Sequence, residues 1–193
     1  KDYSDKLAQK IDGYLEHNKI VAYGEIGLDF FKNYSPKEAQ ISVFRKQIET
    51  AKKHGLPIIV HSRSAKDETL QILKDSEAWS TGGVIHCYSY DLETSKTLLD
   101  MGFYISIPGT VTYSNSQKLA EVVRYVPADM ILSETDAPFL TPHPLRGKRN
   151  EPHFVKYVVE KIADIKGMSI EDTAAHIKEN FERLFLKGNN RRK

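Results

Sequence analysis

The 193-residue chain has only one cysteine, Cys87, which excludes an internal disulfide and fits a reducing, cytoplasmic setting. No apolar run approaches the ~20 residues that span a bilayer, so no membrane partner is expected. The N-terminus shows no signal-peptide pattern. It opens on Lys1 rather than Met, as expected of a chain whose own start lies upstream. Net charge is small too: at +2 it does not argue for nucleic-acid binding unless basic residues cluster locally. There is no internal repeat, low-complexity stretch or dividing linker, so one domain over residues 1–193 is expected.

Four short apolar runs each end in a metal-ligand type of residue. Ile20 to Glu25 ends in a carboxylate, and Pro57 to His61 and Gly83 to His86 end in imidazoles. Ile131 to Asp136 ends in two acids, Glu134 and Asp136, followed by prolines that forbid further strand or helix. Each run reads as a buried strand. If the strands lie parallel, Glu25, His61, His86 and Asp136 meet on one rim as a mixed nitrogen and oxygen set suited to a divalent cation.

Helical patterns fall between the runs. Tyr3 to His17 carries Leu7, Ile11, Tyr14 and Leu15 at helical spacing. The glycines of Gly24 to Asp29 permit a tight turn and close approach of the backbone to something bound. Ser35-Pro36-Lys37-Glu38 reads as a capping box, opening a helix with Ile41, Phe44, Ile48 and Ala51 inside and Gly55 as its stop. Further helices are expected over Ser64 to Asp75, from Asp91 to Met101, and over Ser114 to Tyr125, Pro152 to Lys166 and Ile170 to Lys178. Phe103 to Ile107 is another strand. Alternation of strand and helix means a parallel sheet covered by helices, either a doubly wound sheet or a (β/α)8 barrel. Strand alternation makes Cys87 a packing residue, and Arg191, Arg192 and Lys193 read as a frayed end.

These motifs resemble those of the TatD family of metal-dependent deoxyribonucleases, within the amidohydrolase-like metal-dependent hydrolases. They are Gly24-Glu25-Ile26-Gly27-Leu28-Asp29, Pro57-Ile58-Ile59-Val60-His61-Ser62-Arg63, Gly83-Val84-Ile85-His86-Cys87-Tyr88, Glu134-Thr135-Asp136-Ala137-Pro138, Arg146-Gly147-Lys148-Arg149-Asn150-Glu151-Pro152 and Asn180-Phe181-Glu182-Arg183-Leu184-Phe185. No single motif is decisive, but six in order are specific. The resemblance implies a TIM barrel of the (β/α)8 type, here an incomplete one with five parallel strands. It implies two divalent metals, Mg, Mn or Zn. Glu25 would be shared by both, His61 and His86 would bind the second, and Asp136 would bind the first and orient the attacking water. The family's His-X-His pair is absent, so one metal is expected here, and the chain is either N-terminally truncated or a divergent short member.

The implied activity is hydrolysis of DNA phosphodiesters, with exonuclease trimming of single strands expected. Two alternatives stand: a hydrolase of another ester or amide, or a catalytically impaired barrel fragment that binds nucleic acid or a protein. Glu134 is a candidate acceptor for a ligand imidazole's second nitrogen, and a structural acid reads equally well. Arg146 and Arg149 follow the last strand, where such barrels often bind phosphate, and Arg63 lies two residues past His61. Tyr88, Phe30, Phe31 and Phe139 are candidates for stacking on bases, with rim packing as the commoner role. His17, His54, His143, His153 and His176 read as surface or packing residues. If Arg146 and Arg149 each hold a phosphate, replacing either by Ala weakens DNA binding and lowers the salt slope by about one unit. Affinity measured across a salt series checks this, and an unchanged slope marks a solvated loop.

Overall fold

A computed structural model describes residues 3–187. The expected α/β architecture is observed: five strands, each parallel to its partners, with flanking helices. The chain divides into two compact units, one of residues 3–85 with 183–187 and one of residues 86–182. Arg191, Arg192 and Lys193 lie outside the described residues.

The first unit holds α1 (Asp5–Leu15), β1 (Tyr23–Asp29), α2 (Lys37–His54), β2 (Ile58–Arg63), α3 (Lys66–Asp75) and β3 (Gly83–Ile85). β2 pairs parallel with β1 on one side and β3 on the other. Phe44, Ile48 and Ala51 recur at helical spacing on α2 and are fully buried. Gly55 ends α2 in the left-handed conformation, its N–H reaching the carbonyls of Ala51 and Lys52. The capping box is not formed. Pro36 takes the cap position, and Gln40 Nε2 donates to the Ser35 carbonyl instead. His54 is a packing residue as expected, its Nε2 2.7 Å from Asp12 Oδ1.

β1 corrects the sequence reading most. It runs on to Asp29 rather than stopping at Glu25, so the glycines belong to the strand and not to a turn. The register with β2 jumps between Gly24 and Ile26, leaving Glu25 opposite no residue, as at a bulge. Gly27 sits beside His61 at φ 139°, and any Cβ there would collide with the His61 carbonyl oxygen. The glycine serves close approach of two strands.

The second unit holds α4 (Leu92–Asp100), β4 (Tyr104–Ile107), α5 (Gln117–Tyr125), β5 (Ile131–Ser133), α6 (Val155–Lys166) and α7 (Ile170–Phe181), with β4 parallel to β5. Asp91 caps α4 through Thr94 N–H at 2.8 Å, and Ser169 caps α7 through Asp172 N–H at 3.0 Å. Buried Asn180 ties α7 to the start of β5 by donating to the Ala128 and Ile131 carbonyls. β5 stops at Ser133, three residues before Asp136. The Glu134 N–H still reaches the Ile107 carbonyl at 3.1 Å, and Asp136 then turns the chain at φ 53°.

Two glycine substitutions separate these roles. Gly27→Ala is expected to destabilise the chain by about 2–4 kcal/mol, through backbone collision and strain. Gly13→Ala, in α1 with nothing within 4 Å of its added Cβ, is expected to stabilise by up to about 1 kcal/mol. Urea midpoints of both variants check the contrast.

Candidate metal centre

In the first unit the β1–β2 register aligns Gly27 with His61 and Asp29 with Arg63. Ile26, Leu28, Val60 and Ser62 are buried between these positions, so the alternate side carries the polar groups. His61 Nε2 lies 3.2 Å from Asp29 Oδ2. The other Asp29 oxygen, Oδ1, accepts the Lys32 N–H at 2.7 Å. Burial pushes the Asp29 carboxyl up, but the Lys32 N–H, the His61 ring and the Arg63 charge outweigh it and hold the group below its usual range. A carboxylate at Nε2 fixes the proton on that nitrogen and leaves Nδ1 with its lone pair. His61 Nδ1 faces Glu25 Oε2 at 3.9 Å.

The second unit repeats the pattern with the ring nitrogens exchanged. Glu134 Oε2 lies 2.9 Å from His86 Nδ1, and accepts from Ser106 Oγ at 2.6 Å and from the Cys87 N–H at 3.0 Å. Glu134 therefore takes the role of imidazole acceptor. Its second oxygen, Oε1, is buried with no hydrogen-bond partner. His86 Nε2 faces Asp136 Oδ1 at 3.8 Å. β3 ends at Ile85, and Cys87 lies beyond it at φ 48°, so strand alternation does not place Cys87; its backbone N–H does the work at Glu134.

Asp29 and Ser106 carried no assigned role in the sequence reading. Asp29 was legible in principle, because it shares the parity of Gly27 and the register of Arg63 once β1 is extended. Ser106 gave no local signal; its place follows only from the β4–β5 pairing of Ser106 with Leu132.

The basic loop is a pinned segment. Asn150 is buried and donates to the Thr135 and Phe139 carbonyls, and Thr141 Oγ donates to the Lys148 carbonyl. Arg146 and Arg149 are exposed between these anchors, and the Arg146 guanidinium lies 4.5 Å from the Tyr113 ring centre. Arg63 is exposed and lies 4.1 Å from the Phe31 ring centre. Tyr88 is no stacking residue. It is fully buried with its hydroxyl donating to the Asp91 carbonyl, and burial, then the Asp91 charge, push that hydroxyl's pKa up.

Among the described residues no three His, Cys, Asp or Glu side chains gather closely enough to hold a metal ion. Each unit instead offers an imidazole–carboxylate pair. At 3.9 and 3.8 Å both pairs are too long for hydrogen bonds. In a neutral ring with its proton on the opposite nitrogen, each pair turns a nitrogen lone pair and a carboxylate oxygen toward each other, a donor set that a cation could join. Two ligand atoms each about 2.0–2.2 Å from one tetrahedral ion stand about 3.3–3.6 Å apart, so each pair would close by a few tenths of an ångström to hold one. Nitrogen and oxygen donors with carboxylates behind the imidazoles fit a divalent cation.

A family profile described as TatD related DNase matches residues 1–186. A metal-dependent hydrolase of Bacillus subtilis strain 168, YabD, named as uncharacterized, is 50% identical over 169 residues, 88% of this chain. YcfH of Escherichia coli K12, likewise named, is 44% identical over 166 residues, 86% of this chain. The match spans 66% of the first relative's length and 63% of the second's. Among solved structures, the TatD homologue YJJV of Escherichia coli K12 superposes with a TM-score of 0.88 at 31% identity, covering 95% of this chain and 71% of that one. A TatD family hydrolase from Entamoeba histolytica, at 22% identity, shares the fold with a TM-score of 0.84, covering 96% of this chain and 69% of that one.

Glu134→Ala removes the acceptor of three donors at a site only 13% exposed. It is expected to cost about 2–4 kcal/mol, against about 1 kcal/mol for Ser106→Ala, which leaves the carboxylate in place. Chemical denaturation of the two variants measures the difference.

Proposed function

Because the chain belongs to the TatD related DNase family, we propose that it is a divalent-metal-dependent hydrolase that cleaves DNA phosphodiesters, acting at the ends of single strands. The observation that carries the reading is the repeated arrangement at His61 and His86. Each ring is held by a carboxylate at one nitrogen and faces a second carboxylate with the other, at 3.9 and 3.8 Å. Glu25 with His61 in the first unit, and His86 with Asp136 in the second, are the proposed ligand pairs for Mg, Mn or Zn.

When bound, a divalent cation supplies charge neutralisation at the phosphoryl oxygens and a more acidic water. The chain's residues do the rest. Asp29 holds the proton of His61 on Nε2, and Glu134 holds that of His86 on Nδ1, so neither ring can turn its lone pair away. Asp136 accepts a proton from the attacking water as general base. Arg63, Arg146 and Arg149 bind substrate phosphates as in-plane donors. The rival reading is a segment that binds nucleic acid without cutting it, since each unit offers two candidate ligands rather than three among the described residues.

The test uses purified chain stripped by chelator, then given Mn2+ and an end-labelled single strand. Cleavage is expected to return with metal, and Asp136→Asn is expected to lower kcat by about 10²-fold or more. Metal binding with intact DNA but cleavage of a simple ester would move the substrate class. DNA binding without any hydrolysis would favour the rival.

A further inference from the structure

Phe31 is 61% exposed, which alone means little, since single exposed apolar side chains are common. Its setting is less ordinary. The Phe30 N–H reaches the Arg63 carbonyl at 2.9 Å, extending the β1–β2 ladder one step past Asp29. Phe31 is then the first residue off that ladder. The turn it occupies is closed on both sides by polar contacts. Asp29 Oδ1 accepts the Lys32 N–H, and the Asn33 N–H reaches the Asp29 carbonyl at 3.3 Å. Gln40 accepts the Asp29 N–H at 2.8 Å and donates to the carbonyls of Asp29 and Ser35, spanning the turn. A large aromatic ring is thus held out to solvent on a backbone fixed at both ends.

The charge beside it is also placed. The Arg63 guanidinium lies over the Phe31 ring at 4.1 Å from its centre. Stacking uses the face of a guanidinium and leaves its in-plane N–H donors for an anion. Next to it, Lys37 Nζ lies 4.5 Å from the Phe30 ring centre, so aromatic and basic groups alternate along this rim. Asp29 joins the rim to the candidate ligand: one of its oxygens closes the Phe31 turn while the other holds His61.

We propose that Phe31 and Arg63 form a nucleotide clamp in which the ring stacks on a base of a single strand and the guanidinium takes the adjoining phosphate. The proposal deepens the DNA-hydrolase reading and rests on it for the substrate class. Base–aromatic stacking tolerates any base, so the clamp selects an unpaired strand rather than a sequence. An unpaired base is required because the ring needs an open base face, which a duplex interior does not offer.

The experiment measures affinity of the full chain for a fluorescein-labelled hexathymidylate in EDTA, where no hydrolysis competes. Phe31→Ala is expected to weaken binding about tenfold, and Phe31→Trp to restore it. A hexamer of abasic deoxyribose phosphates should bind Phe31→Ala and the parent alike. Arg63→Ala should lower the salt slope by about 0.7, the value for one phosphate of a single strand. Thermal unfolding of Phe31→Ala checks that the fold is kept. Equal affinity of Phe31→Ala and parent for hexathymidylate would overturn the clamp, as would an equal loss on the abasic strand or no binding by the parent. Because no metal is present, these outcomes do not depend on hydrolysis. A chain that binds in this pattern but cuts nothing with Mn2+ keeps the clamp and loses the hydrolase. A chain that cuts while Phe31 proves indifferent does the reverse.

Discussion

An imidazole has two nitrogens, and a neutral ring offers a cation only the one that lacks the proton. Which one is decided by the partner of the other. In this chain both decisions are made by carboxylates, Asp29 at His61 Nε2 and Glu134 at His86 Nδ1. The two choices are opposite, so the two rings present different nitrogens, Nδ1 and Nε2. Neither acid spends itself on the ring alone. Asp29 also closes the turn after β1, and Glu134 also gathers Ser106 and the Cys87 N–H. Moving either acid would therefore disturb backbone as well as ring, which makes each a support for local structure and for ring orientation together.

Backbone features serve the same end. Close approach of β1 to β2 depends on positions 24 and 27 lacking a Cβ, and the pairing aligns Asp29 with Arg63, two register steps beyond His61. The β1–β2 register shifts between Gly24 and Ile26, and the Glu25 carboxylate at that shift faces His61 Nδ1. Asp136 adopts a left-handed conformation that Asp tolerates better than most residues, and its carboxylate faces His86 Nε2. Bulges and strained residues of this kind gather where side chains must be re-aimed.

Much of this was legible in the sequence. Buried β-strands announced themselves as apolar runs, and Gly55, Asp91 and Ser169 marked helix ends because their chemistry is local. Glu25, His61, His86, Glu134 and Asp136 stood out as polar residues closing apolar runs. The glycines were half legible. Gly24 and Gly27 pointed to a turn or to close backbone approach, and the approach is what forms, but a sequence does not show that the neighbour is a strand. Ending β1 at Glu25 hid Asp29. Ser106 was hidden for a different reason: its partner Glu134 is 28 positions away, and only strand pairing brings them together. For Tyr88 the commoner packing role is the one observed, and its candidacy for stacking arose because proximity to a strand end does not reveal burial.

The central claim is that two carboxylates fix opposite tautomers and so aim one nitrogen of each ring at a cation. Long-range ¹⁵N–¹H correlation spectra of the histidine side chains read this directly at neutral pH. The account predicts a proton on Nε2 of His61 and on Nδ1 of His86, with the unprotonated nitrogens, Nδ1 and Nε2 respectively, shifting when Zn2+ is added. The same tautomer on both rings, or two rings whose bare nitrogens ignore Zn2+, would contradict it.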